Sequence, residues 1–125
     1  MDHGLLSAVK QRLQRLPELS LFGIYTFAPA QRLYPFCLIE LESIQSSCSD
    51  IPPLEKTRIA FTISLILKEG SKQLTLGRLV RQTFDGTEQR LKEDHHVLIR
   101  LMKGESHSQD KLFTLRQHFE ALITY

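Results

Sequence analysis

Two carboxylates lie on a predicted β-strand, and carboxylate pairs are the working groups of many hydrolases. One residue separates Glu40 from Glu42, so both side chains point to the same face of a strand. A glycosidase, however, holds its two carboxyl groups on either side of the bond that it cleaves, at a controlled separation. The pair therefore favours a solvated or subunit-facing strand end over a catalytic site.

The histidines are the next candidates for chemistry, as metal ligands. His95 and His96 follow Asp94, but neighbouring side chains on a strand point to opposite faces and cannot hold one ion together. The chain contains neither a Cys-x-x-Cys nor a His-x-x-x-His motif that would supply further ligands. His107 and His118 stand alone in the sequence. We therefore predict surface or edge histidines and no metal site.

Motifs for phosphate, nucleotide and acyl chemistry are also missing from the sequence. Gly70-Ser71-Lys72 has the residue types of a Walker loop in the wrong order. The chain has neither a dinucleotide-binding fingerprint nor a Gly-x-Ser-x-Gly nucleophile elbow. We therefore predict that the protein is not an enzyme and uses no cofactor.

Three basic side chains on a predicted helix form a candidate basic interface: Lys72, Arg78 and Arg81. Such a group could meet phosphate, but the interleaved aromatic side chains on which bases stack are missing. The remaining alternatives are a solvated helix face, a contact with another subunit and a position close to DNA without specific binding. Because the net charge is only +2, we expect no specific nucleic-acid binding.

The composition indicates one globular domain over residues 1–125. Of the 125 residues, 42% are hydrophobic, which is enough for a core and too much for a disordered chain. No apolar run approaches the roughly 20 residues that span a bilayer, and the first residues lack the basic and apolar regions of a secretory signal. We expect no membrane association and free thiols at Cys37 and Cys48, although the sequence leaves a bridge between them open.

Hydrophobic periodicity predicts the order of the elements. A helix is expected over 5–16, with Asp2 as its N-cap and Pro17 as its stop. A second helix, with Ser71 as its cap, is expected to end at Asp85-Gly86. The predicted strands cover residues 21–27, 35–42, 56–68 and roughly 95–103, and a turn follows over 104–110.

The segment 45–54 is predicted to be a loop, because it is polar and contains two consecutive prolines. It also holds two apolar residues, which a partner would cover if they are exposed, although scattered exposed apolar residues are common. We expect this loop to be disordered in the monomer and to become ordered on assembly. The candidate assembly loop comprises Ile51, Pro52, Pro53 and Leu54.

The last segment, 111–125, fits two structures. As a strand it would present one apolar face interrupted only by Gln117, and as a helix it would present a stripe through Leu112, Leu115, Phe119 and Leu122. The preceding turn favours a hairpin. The predicted fold is then α+β, a mainly antiparallel sheet with two helices packed on it, in the order α-β-β-β-α-β-β.

Short motifs at the ends of these elements carry a resemblance to a known family. The first strand ends in Ala28-Pro29, the second opens with Tyr34-Pro35-Phe36, and the second helix ends in Phe84-Asp85-Gly86. A polar loop, a long alternating strand over 58–65 and a closing strand over 112–122 complete the order. Over nearly the whole chain, this order resembles the tail terminator and head–tail completion proteins of long-tailed bacteriophages. It is most similar to the small tail-completion protein of gene transfer agents.

The resemblance implies a structural virion protein without catalytic residues. Such a protein forms a ring, often of six subunits, that caps the tail tube and joins it to the head. The implied partners are other copies of the chain, the major tail tube protein and the head–tail connector proteins. The implied locations are the bacterial cytoplasm during assembly and then the virion tail. The alternative is a cytoplasmic adaptor that binds a peptide at an edge of its sheet.

Overall fold

A computed structural model of the chain describes residues 4–31, 33–50, 53–68, 72–90 and 95–124. The predicted α+β class and the order α-β-β-β-α-β-β are confirmed, and the structure adds a short 3₁₀ turn and one short strand. The elements are α1 (Leu5–Gln14), a 3₁₀ turn (Pro17–Leu19), β1 (Gly23–Tyr25), β2 (Phe36–Asp50), β3 (Pro53–Leu67), α2 (Gln73–Phe84), β4 (Thr87–Arg90), β5 (His96–Gln109) and β6 (Leu112–Thr124).

The strands form one sheet in the order β1-β2-β3-β6-β5-β4. Among the described strands, β1 and β2 are the one parallel pair, and every other neighbouring pair is antiparallel. Consequently β2 and β6 run in one direction, and β3 and β5 run in the other. Both helices contribute to a single core on one face of the sheet. We call the other face, which includes Glu40, Thr62 and His118, the open face.

The long strand β3 confirms the clearest pattern in the sequence. Its alternate apolar side chains, from Ile59 to Leu67, are buried in the core together with residues of both helices. Phe61 stacks on Phe119 of β6, with 5.5 Å between ring centroids. Phe84 of α2 contacts the same Phe119 ring edge-on. Aromatic contacts therefore join both central strands to α2.

The final segment is a strand, as the hairpin interpretation predicted. Gln117, the one polar residue on its apolar face, is buried because its Nε2 donates a hydrogen bond of 2.9 Å to the carbonyl oxygen of Gly77 in α2. The predicted turn over 104–110 is wrong, since β5 continues to Gln109. The turn is Asp110-Lys111, and both residues have positive φ angles, 53° and 63°, as a two-residue type I′ hairpin requires.

The predicted loop over 45–54 is also wrong, because β2 extends to Asp50 and β3 begins at Pro53. The two strands pair throughout, up to Asp50 and Pro53. A proline is tolerated at the first residue of a strand, where its missing N–H costs no ladder hydrogen bond. Of the candidate assembly loop, Pro53 and Leu54 lie at the start of β3, while Ile51 and Pro52 lie outside the described residues. The proposed caps Asp2 and Ser71 lie outside them as well.

Cys37 and Cys48 lie on the same strand and are therefore too far apart to form a bridge within the chain. They are eleven positions apart on β2, which corresponds to roughly 36 Å at the rise of a strand, whereas a disulfide needs Cα atoms within about 7 Å. Cys37 is a buried free thiol. Burial raises its pKa to about 12, so the thiol stays protonated at neutral pH.

We expect Cys37 to be unreactive toward thiol reagents in the folded protein, because the thiolate is the reacting species. A chromogenic thiol titration of the Cys48→Ser variant isolates this residue. It should give no rapid reaction without denaturant and one thiol per chain after unfolding. Rapid labelling of the native variant would contradict the burial of Cys37.

Candidate assembly surfaces

The outer strands of the sheet are short, and they flank opposite ends of it. β1 pairs with β2 only at residues 36–38, so among the described residues no strand lies beside the outer side of β2 from Ile39 onward. β4 pairs with β5 only at residues 96–99, which leaves residues 100–109 without an outer strand in the described part of the chain. We call β1 with the exposed part of β2 the β2 edge, and residues 100–109 the β5 edge.

The pairing register shows how these two edges correspond. Followed across β3 and β6, the residues that β1 flanks, 36–38, are level with residues 105–107 of β5. The residues that β4 flanks, 96–99, are level with residues 44–47 of β2. Each short outer strand is therefore level with the uncovered part of the opposite edge.

Both edge strands have a β-bulge at the same height in the sheet. The register of β2 shifts at Glu42 and that of β5 at Met102. We call residues that pair in register across neighbouring strands a row. Both shifts adjoin the row that contains Phe61 and Phe119. A bulge bends its strand and re-aims a side chain, and bulges are one means by which proteins prevent uncontrolled pairing at free edges.

Exposed large apolar side chains lie on the two edges and on the segments next to them. Three of them lie in the segments that flank β1, and one lies on β2 next to the bulge. Two others lie on the opposite side, on α2 and at the β5 bulge. In that order they are Leu21, Phe27, Leu33, Leu41, Leu74 and Met102.

A groove of about 390 Å³ lies between α2 and β5. Arg78 and Arg81 line it from the helix, next to the exposed Leu74, and Leu101 and Gly104 line it from the strand. Arg81 forms a long ion pair of 4.0 Å with Asp85, and Arg78 forms none with a described residue. Two members of the candidate basic interface thus occupy one surface at the β5 edge.

The structure separates Lys72, the third predicted member, from the two arginines. Lys72 lines another cavity, of about 220 Å³, with Tyr34, Pro35 and Lys68. The Nζ atom of Lys68 lies 5.6 Å from the centre of the Tyr34 ring. The candidate basic interface is therefore two sites, of which only the arginine site adjoins an unpaired strand.

The open face carries a polar cluster that the sequence analysis did not identify. His118 on β6 lies between carboxylates of two other strands: Nδ1 is 2.9 Å from Glu42 Oε1 and Nε2 is 2.5 Å from Glu105 Oε1. Both ring nitrogens can donate only when the imidazole is protonated. The prediction that His118 stands alone is therefore wrong. Its partners are 76 and 13 residues away, and no local pattern joins them.

The His118 cluster lowers the pKa of Glu105, mainly through the hydrogen bond from His118 and further through the charges of Lys103, His118 and Arg116. A carboxylate with a lowered pKa stabilises the folded state above its ordinary pKa of 4.5, and this contribution is lost as the pH falls through the lowered value. In the His118→Ala variant we expect the pKa of Glu105 to rise toward the ordinary value, as measured by NMR titration of the carboxyl carbon.

The matched control for this titration is His107→Ala. His107 lies on the same strand as Glu105 and contacts Gln109 instead, so its removal should leave the Glu105 titration unchanged. Equal titration curves in the wild type and in His118→Ala would contradict the assignment of the hydrogen bond as the main cause.

Glu40 and Glu42, the pair considered for catalysis, have different surroundings. Glu42 contacts His118, whereas Glu40 has no ion pair with a described residue. Both side chains are exposed on the β2 edge. The pair therefore lies on an open surface rather than across a cleft.

Two further searches concern metals and membranes. Within the described residues, no group of three or more His, Cys, Asp or Glu side chains is placed to hold a metal ion. None of the described helices has the length and apolar character that crossing a membrane requires.

No family model matches the chain, and no curated protein matches it either. Among solved structures, the fold is similar to that of a chain in the virion of a native gene transfer agent (GTA) particle. The two chains superpose with a TM-score of 0.73 and are 15% identical in sequence, and the match covers 97% of this chain and 95% of the other. At this identity the likeness establishes a shared fold, which extends over almost the full length of both chains.

Proposed function

We propose that the protein is a structural component of the virion of a phage or gene transfer agent. In this proposal it caps the tail tube as a ring of six copies and joins the tube to the head. The observation that carries the proposal is the shared fold with a GTA virion chain over 97% of this chain. The motif order described above, from Ala28-Pro29 to the closing hairpin, supports the finer assignment as a tail terminator.

The surfaces of the molecule suit such a role. Two partly uncovered sheet edges with exposed apolar side chains provide contacts for neighbouring copies. Among the described residues, the last pair between β3 and β6 is Lys56 with Thr124. The β2–β3 hairpin extends beyond this pair and so offers a separate contact for the major tail tube protein or the head–tail connector. The role requires no catalytic group, and the protein would be found in the bacterial cytoplasm before assembly and in the tail afterwards.

Deletion of the gene from the particle-producing bacterium tests this function. We expect electron micrographs of the deletion strain to show separate heads and tails, and wild-type protein supplied in trans to restore joined particles. An antibody against the protein should label the head–tail junction of wild-type particles. Normal joined particles from the deletion strain, or purified particles that lack the protein, would refute the proposal.

The uncovered β5 edge also favours a second candidate, an adaptor that binds an extended peptide by adding a strand to the sheet. Genes for portal, major tail and tape-measure proteins next to this gene would favour the virion role. Their absence, together with unaffected particles, would favour the adaptor.

A further inference from the structure

We infer that copies of this chain associate head to tail, with the β2 edge of one copy against the β5 edge and the α2 groove of the next. The inference rests on the proposed function for its biological setting and names the two surfaces that a ring would use. Four observations carry it: strand direction, the position of the short outer strands, apolar exposure and charge.

Strand direction permits the contact. Because β2 and β5 run in opposite directions, two copies in the same orientation place β5 of one antiparallel to β2 of the next. Between the two edges, β1 of one copy then runs antiparallel to β5 of the next, and β4 of that next copy runs parallel to β2 of the first. A contact between two different surfaces can be repeated from copy to copy. It produces a closed ring when the rotation that relates neighbouring copies adds up to a full turn.

The short outer strands make the two edges complementary in shape. When adjacent copies are placed level with each other, β1 of one copy lies beside residues 105–107 of the other, where no described strand flanks β5. Conversely, β4 lies beside residues 44–47 of its neighbour, where no described strand flanks β2. The two short strands then share a single strand position between the copies. They occupy opposite ends of it and do not collide.

Exposed apolar side chains favour burial of these surfaces in a contact. Burial of apolar surface is the main favourable term in association. Leu41 is exposed on the β2 edge and Met102 on the β5 edge, while Phe27 follows β1 in the chain and Leu74 lines the α2 groove. Apolar side chains on both contacting surfaces fit a second copy of the chain better than a polar partner.

Charge distinguishes the two edges and orients the contact. Among the described side chains, β2 carries Glu40 and Glu42 and no Lys or Arg. The β5 edge carries Arg100 and Lys103 against one acidic residue, Glu105, which lies 3.8 Å from Lys103 Nζ. With Arg78 and Arg81 of the adjoining groove, this surface has an excess of positive charge. Such complementarity gives specificity and favours the head-to-tail orientation, because like edges would repel each other.

One pair of residues tests the alignment directly. Glu40 and Lys103 belong to the same row, at opposite edges of the sheet, and both side chains are exposed. This row is covered by neither β1 nor β4, so the strands of adjacent copies would lie roughly two strand spacings, about 9.6 Å, apart there. An extended lysine and an extended glutamate can bridge that separation.

The experiment compares Glu40→Lys, Lys103→Glu and the double variant with the full-length wild type by sedimentation velocity up to the highest soluble concentration. We expect the wild type to self-associate and each single variant to raise the dissociation constant at least tenfold, since like charges oppose each other in the contact. The double variant should recover to within a few-fold of wild type. Lys56→Glu is the control, because Lys56 is exposed on the interior strand β3 and should leave association unchanged.

Three results would overturn the inference: a wild type that stays monomeric throughout the range, equal association of all variants, or an effect of only one of the two single variants. Circular dichroism verifies that each variant is folded. This test is independent of the particle experiment. Self-association through these edges with normal particles in the deletion strain would refute only the virion role, whereas defective particles with an unaffected Glu40→Lys variant would refute only the edge contact.

Discussion

Replacing Phe61 by alanine should lower the free energy of unfolding by about 3–5 kcal/mol, the range for a fully buried phenylalanine. Phe61 has no exposed surface and lies on β3, in the middle of the sheet. Its ring stacks on Phe119, which in turn contacts Phe84 of α2. The substitution would therefore leave a cavity where the central strands meet α2, with little room for the neighbours to collapse.

This loss is a large fraction of the total stability of a typical domain, about 5–15 kcal/mol. Urea denaturation followed by circular dichroism measures it as a shift of the midpoint at constant slope. Phe27→Ala is the matched control, because Phe27 is 68% exposed and its removal should change stability by no more than about 0.5 kcal/mol. An unchanged midpoint for Phe61→Ala would show that this residue is not part of the core.

The sequence predicts the helices and strands that pack on the core, because burial of one face fixes the spacing of their apolar residues. The alternation from Ile59 to Leu67 and the helical spacing of Leu76, Val80 and Phe84 arise because each face must be buried against the other layer. The one departure on β6, Gln117, was visible as an interruption of the pattern. The sequence does not show why Gln117 is tolerated there, because the carbonyl oxygen that accepts its hydrogen bond belongs to Gly77, 40 residues earlier.

Gly77 illustrates the same limit on a helix. A glycine inside a helix is unfavourable by itself, and nothing near it in the sequence explains its presence. In the structure, a Cβ atom at this position would collide with the side chain of Leu115. The close approach of α2 to β6 therefore accounts for the residue, and that approach is a tertiary feature.

Prediction failed where strands extend beyond the core. Residues 47–50 of β2 and 105–109 of β5 are polar, and this composition predicts loops or turns in both regions. In the described part of the chain, no second layer packs on the end of the β2–β3 hairpin or on the free end of β5. Neither segment therefore needs alternating apolar residues, and both resemble loops in the sequence. The His118 cluster was missed for a related reason, because the bulge at Glu42 that adjoins it has no signature in the chain.

Shortening the β2–β3 hairpin should separate the stability of the protein from its assembly. We propose replacing residues 48–55 by Asn-Gly, a favoured two-residue turn, so that the hairpin closes at the Ser47–Lys56 pair. Among the described residues, β6 pairs with β3 from Lys56 onward, and the removed residues 48–50 and 53–55 pair with each other alone. Such two-stranded segments contribute little stability on their own. The free energy of unfolding should change by less than about 1 kcal/mol.

The effect on particles should nevertheless be severe, because the proposed function assigns this hairpin to the contact with the tail tube or the connector. In the deletion strain, the shortened protein should fail to restore joined particles, which electron microscopy would show as free heads and tails. A full-length variant with Ile51→Ser and Leu54→Ser distinguishes two causes: its failure would assign the contact to the apolar side chains, and its success would assign it to the length of the hairpin. Joined particles in normal yield with the shortened, folded protein would refute the assignment, since a surface that contacts a neighbouring ring cannot be removed without loss.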